Sequence, residues 1–437
     1  MPFAPLDGVR VVDFSWNVAG PTSTKVLAAL GAEVFKIEWP TRPDPGRMFS
    51  FSPTTEGIYD SGGFFADLNI GKRSFTVDAR SPEGLALLER LITASDMVVE
   101  SYSPRVMAGW GLTYERMREL NPGIIYLSVS GFGHSGPHGS YVSYGPTAQA
   151  ASGVTYASGE PGREPAGWGY SFLDVMTGYQ AAYAAVAALR GRTTSGQGTR
   201  IDLSQVETGA AMLGPILLDC AARGAGTDET AFPPGNRARW RAGGGDGYRY
   251  EHGAPYNVYP TADGDHDAFC AIGVLEEDEW KNLRACMGDP EWARDERFAD
   301  LESRLANQDD LDARLAEWTA GFGKYELMDR LQHAGVRCAA VQSGRDRLES
   351  DPSLAARDVF QRLRHPVVGE HRFEALPLHI NGESLPLREH WPLLGHDTDD
   401  ILRTVLRLDE AEIDRLREAG VTWPAGLPFT RLTPETH

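Results

Sequence analysis

The sequence has few cysteines, no long apolar run and no excess of basic residues. Its 437 residues include four cysteines, far apart and without metal or redox spacing: Cys220, Cys270, Cys286 and Cys338. We therefore expect reduced thiols, no metal site and a cytoplasmic protein, since the N-terminus also lacks a secretory pattern. No apolar run reaches membrane-span length. The formal net charge of −19 argues against nucleic acid or an anionic membrane as the main partner. An anionic small molecule remains compatible, because a local cluster of N–H donors can bind it.

The N-terminal part also lacks GxGxxG, the fingerprint of nicotinamide and flavin enzymes. It nevertheless has a βαβ pattern, with strands predicted at residues 9–14 and 32–38. Between them, a helix is predicted that starts with Pro21 as its first residue and continues over residues 22–30. Such a crossover implies parallel strands, and the alternation continues as far as the TRIDL strand. The sequence therefore predicts an α/β fold with a doubly wound sheet. The pattern Ser204-Gln205-Val206-Glu207 then predicts a capped helix start.

Composition changes near Gly224. Residues 224–253 are rich in Gly, Pro and Arg and include the run Gly243–Gly245. Such a stretch is typical of a linker and a loop, so we predict a domain boundary here.

The most informative stretch is GWGYSFLDVMTGYQAAYAAVAAL, residues 167–189, which contains a single acidic residue, Asp174. An Ala-rich segment follows it, which predicts a helix starting near Asp174. At a helix start the positive end of the helix dipole should keep the carboxylate ionised. Two interpretations stay open from these residues alone: Asp174 is the N-cap of the helix, or it is a covalent nucleophile. The long Gly-rich loop 131–153 precedes this stretch, and for its His134 and His138 we favour structural contacts over catalysis.

The order of several segments resembles the family III CoA-transferases, which include formyl-CoA:oxalate and carnitine CoA-transferases. The segments are PLDGVRVVDF, AGPTSTKVLAALGAEVFKIE, GKRSFTVDARSPEG, ELNPGIIYLSVSGFGHSGP, Asp174 with Gly178, GTRIDLSQVE, PYNVYPTADG and PLLGHDTDDIL. The resemblance implies a large Rossmann-like domain, residues 1–225 completed by 346–437, and a smaller inserted α+β domain, residues 226–345. It also implies an interlocked homodimer.

The resemblance further implies that Asp174 is the nucleophile. The enzyme would form an aspartyl anhydride and then an aspartyl-CoA thioester, with acyl-CoA as a substrate, a carboxylic acid as acceptor and no tightly bound cofactor. A glycine-rich lid would donate N–H groups to the oxyanion, and Gly253 and Ala254 occupy the similar place. The triple-glycine run lies earlier in this chain, at residues 243–245.

Further positions resemble CoA contacts of the family. They are Val18, Ala19, Val77, Asp78, Ala79, Arg80, Ser101, Tyr102, Ser103 and Tyr144. Gly109, Val142 and Trp39 stand where the family often has cations. Arg105 and Arg73 are near in sequence, and we predict that they compensate.

Two other activities follow from the same resemblance. A 2-methylacyl-CoA racemase would need a His near Tyr144, and the sequence has none there. Alternatively, the chain is one subunit of a hetero-oligomeric CoA-transferase. Segments SYGPTAQAASG and GWGYSF look like the benzylsuccinate CoA-transferase subgroup, with succinyl-CoA as the donor by analogy. An apolar or aromatic acceptor would suit a set of aromatic residues, unless these belong to the core or an interface: Trp168, Tyr170, Phe172, Trp240, Tyr248 and Tyr250.

Overall fold

The architecture was determined from a computed structural model, which describes residues 3–48, 59–158, 165, 167, 171–222, 252–264 and 266–423. The chain divides into two units. One comprises Met1–Val154, Trp168–Gly214 and Ser353–His437, and the other comprises Thr155–Gly167 and Pro215–Pro352.

Six parallel strands form the sheet of the first unit. They are β1 (Arg10–Asp13), β2 (Glu33–Glu38), β3 (Arg73–Thr76), β4 (Met97–Glu100), β5 (Ile125–Ser130) and β6 (Thr199–Ser204). Their order is β3-β2-β1-β4-β5-β6, which is the strand order of Rossmann folds. The predicted α/β class and Rossmann-like sheet are confirmed. Because the order reverses between β1 and β4, the loops that follow these two strands are expected to flank a ligand site.

The remaining strands are shorter or antiparallel. They are β7 (Tyr256–Pro260), β8 (Phe269–Gly273), β9 (Arg337–Ala340), β10 (Phe360–His365), β11 (Gly369–Glu374), β12 (His379–Ile380) and β13 (Glu383–Ser384). In the second unit β7, β8 and β9 form an antiparallel sheet. Its core is a cluster of buried side chains that includes Tyr259, Trp280 and Phe298.

The described residues also form helices. Those up to residue 222 are α1 (Ala19–Ala29), α2 (Gly63–Leu68), α3 (Pro82–Thr93), α4 (Pro104–Gly109), α5 (Tyr114–Leu120), α6 (Gly145–Ala151), α7 (Val154–Ser158), α8 (Phe172–Ser195), α9 (Gln205–Met212) and α10 (Gly214–Ala222). Those after residue 252 are α11 (Glu277–Cys286), α12 (Leu301–Ala306), α13 (Gln308–Thr319), α14 (Lys324–His333), α15 (Gly344–Glu349), α16 (Pro352–Ala356), α17 (Thr398–Thr404) and α18 (Glu410–Glu418). Across the described ranges, none of these helices has both the length and the apolar character needed to cross a bilayer.

The apolar strands of the parallel sheet are buried on both faces. Val12 and Val98 belong to the core cluster on one face, while Val11 and Val99 belong to the cluster on the other. Such burial explains why these strands read as continuous apolar runs rather than as alternating ones.

Helix α1 begins two residues before the predicted position. Pro21 is therefore its third residue and not its first. Proline is tolerated throughout this first turn, because these N–H groups have no partner within the helix. The earlier start places Val18 at the N-cap position, directly after β1 and its loop.

Candidate active site

A cavity of about 620 Å³ lies at the carboxyl ends of the parallel strands. It is lined by the turn after β1, the loop after β4, the segment after β5, and the first turns of α6, α8 and α9. The predicted nucleophile and six of the predicted CoA contacts lie on it: Asp174, Val18, Ala19, Ser101, Tyr102, Ser103 and Tyr144. These residues come from distant parts of the chain, so the sheet topology brings them together.

Asp174 lies in the first turn of α8, and its side chain is buried. The N-cap interpretation is wrong, because the helix begins at Phe172 and its N-cap residue is Ser171. The expectation that the helix start would favour the anion also needs correction. Burial raises the pKa of Asp174 above its ordinary value, and hydrogen bonds from Gln205 and Ser171 oppose this effect. Removal from water thus has the larger effect on this carboxylate.

One oxygen of Asp174 is held by a residue that the sequence did not single out. Gln205 Nε2 donates a hydrogen bond of 2.7 Å to Asp174 Oδ1. Gln205 is the first residue of α9, whose predicted cap is present: Ser204 Oγ accepts a hydrogen bond from the Glu207 backbone N–H at 3.3 Å. The cap fixes the helix start and with it the position of Gln205.

The other oxygen of Asp174 lies against Gly145, the first residue of α6. A Cβ atom added to Gly145 would lie 1.8 Å from Asp174 Oδ2. Only glycine therefore allows the carboxylate this position. The preceding residue, Tyr144, is largely exposed and lines the cavity.

The turn after β1 is held by buried charges. Asp44 Oδ1 accepts a hydrogen bond of 3.1 Å from the backbone N–H of Asn17, which has a φ of 61°. Lys36 Nζ lies 2.8 Å from Asp44 Oδ2, and both side chains are fully buried. Ser101 Oγ accepts a further hydrogen bond from the Trp16 N–H at 2.8 Å. The buried ion pair thereby holds the backbone next to Val18 in a conformation that few non-glycine residues adopt.

Glu100, the last residue of β4, stabilises the loop that follows this strand. Its Oε2 accepts a hydrogen bond of 2.8 Å from the Tyr102 backbone N–H, and Tyr126 donates to Oε1 at 3.2 Å. Burial raises the pKa of Glu100 to about 8, which favours the protonated carboxyl. His134 Nε2 is 3.6 Å from Glu100 Oε1 and 3.4 Å from the Tyr102 carbonyl oxygen. His134 thus contacts the loop and does not line the cavity with Asp174.

A second cavity, of about 510 Å³, shares Trp16, Arg42 and Tyr102 with the first. Its other lining residues include the four remaining predicted CoA contacts: Val77, Asp78, Ala79 and Arg80. The two cavities therefore adjoin, and all ten predicted contact positions lie on one or the other.

Three arginines line the second cavity: Arg42, Arg80 and Arg105. Arg80 is exposed and also contacts Asp78 at 3.1 Å. Trp39 and Gly109, two of the positions at which the resemblance implies cations, line the same cavity. The arginines of this chain therefore stand at other positions of the same wall.

The prediction that Arg73 compensates for missing cations is wrong. Arg73 forms ion pairs with Glu33 and Asp400, each at 2.5 Å, and lines neither cavity. Arg73 lies on β3, and its partner Asp400 lies on α17. These two residues are far apart in the sequence, so no local pattern indicated their contact. Arg42 was overlooked because it lies in a loop with no motif.

Some predicted residues lie elsewhere. Gly253 and Ala254 belong to the second unit, where Ala254 is buried and its carbonyl oxygen accepts a hydrogen bond from Arg304 at 2.8 Å. Their contribution to a lid stays a prediction. Several of the aromatic residues and the glycine run lie outside the described residues, namely Trp168, Tyr170, Trp240, Tyr248, Tyr250 and Gly243–Gly245. Phe172 is described, as the first residue of α8.

The part of the chain that the structure describes has no histidine on either cavity wall. It also contains no group of His, Cys, Asp and Glu side chains that could hold a metal ion. The groups available around Asp174 are a carboxylate, an amide, hydroxyls and backbone N–H donors. Such a set suits acyl transfer to a carboxylate nucleophile.

Comparison with known proteins agrees with this chemistry. The model of CoA-transferase family III matches residues 6–398. The chain is 32% identical over 423 residues to succinyl-CoA–D-citramalate CoA-transferase of Chloroflexus aurantiacus, covering 96% of this chain and 98% of that protein. It is 30% identical over 427 residues to formyl-CoA:oxalate CoA-transferase of Rhodopseudomonas palustris, covering 96% and 97%. Among solved structures it resembles a CAIB/BAIF family protein from Brucella suis, with a TM-score of 0.79, 29% identity and coverage of 92% and 99%.

Proposed function

Because the chain belongs to CoA-transferase family III, and so moves coenzyme A between an acyl-CoA and a carboxylic acid, we propose that it works through covalent intermediates on Asp174. One observation carries the proposal. The buried Asp174 carboxylate lies on the wall of a cavity that adjoins a second, arginine-lined cavity. The arrangement provides a nucleophile for the thioester and a place for the charged end of coenzyme A.

The proposed reaction begins with attack of the Asp174 carboxylate on the thioester carbonyl carbon. The carbon–sulfur bond breaks, CoA leaves as the thiolate, and an aspartyl anhydride forms. The thiolate then attacks the Asp174 carbonyl carbon, releasing the donor acid and leaving an aspartyl-CoA thioester. The acceptor carboxylate repeats these two exchanges in reverse, which regenerates Asp174 and gives the new acyl-CoA.

The lining residues support one orientation of coenzyme A. The thioester end would lie in the cavity with Asp174, and the pantetheine arm would pass Val18, Ala19 and Tyr102. The nucleotide end would lie in the second cavity, with Arg42, Arg80 and Arg105 near its phosphates. Guanidinium groups are suited to phosphate because they offer several N–H donors in one plane.

For the substrates, we propose succinyl-CoA as the donor and an apolar or aromatic acid as the acceptor. Relatives named for D-citramalate, oxalate and glutarate make small dicarboxylic acids the necessary comparison set. Transfer rates from succinyl-CoA and acetyl-CoA to a panel of both acid classes would identify the pair. Faster transfer to a dicarboxylic acid would contradict the proposed acceptor.

The proposed nucleophile is tested with Asp174→Ala. We expect transfer to be abolished, because Asp174 is the only carboxylate among the described residues that line this cavity, while CoA binding by calorimetry is retained. Incubation of the wild-type protein with acyl-CoA and hydroxylamine, followed by peptide mass spectrometry, should mark Asp174 alone.

A matched control is Glu207→Gln, in the first turn of α9 but off the cavity wall. It should keep the label at Asp174. Transfer by the folded Asp174→Ala protein, or a label on another residue, would contradict the proposed mechanism. Exchange of the Cα proton of a 2-methylacyl-CoA without any acceptor would instead indicate a racemase.

A further inference from the structure

We propose that Gln205 is a catalytic residue, whose side-chain amide stabilises the oxyanion that forms on Asp174 when its covalent intermediates are attacked. The inference rests on the proposed function and adds to Asp174 a second residue that contacts the reacting atoms. It starts from the 2.7 Å contact between Gln205 Nε2 and Asp174 Oδ1.

The orientation of the amide is set by chemistry. An ionised carboxylate only accepts hydrogen bonds, so the NH₂ end of Gln205 must face Asp174. Both side chains are buried, and Gln205 is anchored at the first position of α9. The donor is therefore already in place before any charge develops, which is the requirement for an oxyanion donor.

The two oxygens of Asp174 have different surroundings. Oδ1 faces Gln205, while Oδ2 lies against Gly145, and both Asp174 and Gly145 line the cavity. We assign the attack on the acyl carbon to Oδ2. Oδ1 then stays with Gln205 and becomes the carbonyl oxygen of the aspartyl anhydride.

The charge movement follows from this assignment. When the CoA thiolate attacks Cγ of the anhydride, the carbonyl electron pair moves onto Oδ1, and collapse expels the donor acid together with Oδ2. When the acceptor carboxylate attacks Cγ of the thioester, negative charge forms on Oδ1 again, and collapse expels the thiolate. In the first and last steps the charge forms on the oxygen of the acyl group instead. Gln205 is thus expected to accelerate the two middle steps selectively.

The other end of the same amide also points to a ligand. Gln205 Oε1 is buried and has no hydrogen-bond partner among the residues that the structure describes. A buried acceptor without a partner is costly, so such a residue is unusual in a purely structural role. Gln205 lines the cavity, where an N–H or O–H group of a bound substrate can donate to Oε1.

The test is a single-turnover experiment with Gln205→Met, which keeps the chain length and removes the donor. Acyl-CoA is mixed with protein without acceptor, the reaction is quenched, and intact mass distinguishes the acyl adduct from the CoA adduct. Wild-type protein should pass from the first adduct to the second. In Gln205→Met, we expect formation of the acyl adduct to persist and its conversion to slow by about 100-fold, as for loss of an oxyanion donor in other enzymes.

Gln180→Leu is the matched control. Gln180 lies on α8 and accepts a hydrogen bond of 3.0 Å from Thr208 Oγ1 of α9, so this variant removes another α8–α9 contact without touching Asp174. It should convert the adduct at the wild-type rate. Gln205→Leu, which also removes the amide and places no second carboxylate beside Asp174, serves if Gln205→Met does not fold and should show the same selective slowing.

Conversion at the wild-type rate in a folded Gln205 variant would overturn the inference. Equal slowing of both steps would also overturn it, since that pattern indicates a merely structural residue. Failure of the proposed function is distinguishable, because the wild-type protein would then form no adduct on Asp174 at all.

Discussion

At the scale of single residues, the site depends on opposing influences on one carboxylate. Burial of Asp174 raises its pKa, whereas hydrogen bonds from Gln205 and Ser171 favour the anion. A partly desolvated carboxylate with few donors is more nucleophilic than one fully solvated by water, provided that it is ionised. The balance between the two influences therefore determines both the reactivity of Asp174 and the pH range in which it works.

This balance predicts the pH dependence of the first chemical step. Only the anion attacks, so adduct formation is complete above the pKa of Asp174 and declines as the pH falls through it. Because the pKa is raised from 3.8, the decline should begin at a higher pH than for an exposed aspartate. In Gln205→Met, loss of a hydrogen bond that favours the anion should raise the pKa of Asp174 further, so the decline should begin at a still higher pH. The measurement is the single-turnover rate of adduct formation between about pH 4 and 8. Identical profiles for the two proteins would contradict the assigned balance.

At the scale of helices and strands, α8 connects Asp174, the proposed nucleophile, with the turn after β1. Its Gly178 lies against α1, where an added Cβ would approach Thr22 Cβ to 2.5 Å and the Ala19 carbonyl oxygen to 2.7 Å. Ala19 also lines the cavity. Close contact of the two helices thus fixes the distance between Asp174 and the turn after β1.

Gly178→Ala is accordingly expected to impair both folding and substrate binding. The extra methyl group must push α1 away, which should lower the free energy of unfolding by about 1–3 kcal/mol and raise the KM for acyl-CoA several-fold. Urea denaturation and steady-state kinetics measure the two effects.

Gly191→Ala provides the control on the same helix. An added Cβ there meets no atom within 4 Å, so this change should stabilise the protein by about 0.5–1 kcal/mol through helix propensity and leave the KM unchanged. Equal effects of the two substitutions would show that helix propensity, and not the α1 contact, decides the outcome.

Much of this element-level organisation could be predicted from the sequence. Apolar runs, turn residues and the Ser204 cap indicated the order of strands and helices, because these signals are local. Contacts between distant residues carry no such signal. Gln205 was predicted only as part of a capped helix start, and its contact with Asp174 depends on how β6 leads into α9. For the same reason Arg73 was misplaced, and Arg42 and Gly145 were missed.

At the scale of the whole molecule, net charge and ligand charge have the same sign. The chain carries −19, yet coenzyme A is itself an anion. Charges separated by more than about 10 Å are largely screened at moderate salt, so the distant acidic surface contributes little at the cavity. The local groups decide binding. Three arginines line the second cavity, and the two acidic residues on the same wall, Glu38 and Asp78, are already paired with Arg47 and Arg80.

Substitution of these arginines should therefore weaken CoA binding despite the acidic surface. We expect Arg42→Gln to raise the Kd about 10-fold or more, since Arg42 lines both cavities and charge-assisted hydrogen bonds are worth about 1.5–3 kcal/mol. Arg105→Gln should have a smaller effect, and Arg80→Gln the smallest, because Arg80 is exposed and already contacts Asp78.

Calorimetry with CoA and with pantetheine, which has no phosphate, separates the loss of phosphate contacts from a general loss of structure. Arg73→Gln is the control, since it removes the same charge outside both cavities and should change neither Kd. Equal losses for CoA and pantetheine, or an Arg73 effect as large as that of Arg42, would show that the arginines act through folding or net charge rather than by binding phosphate.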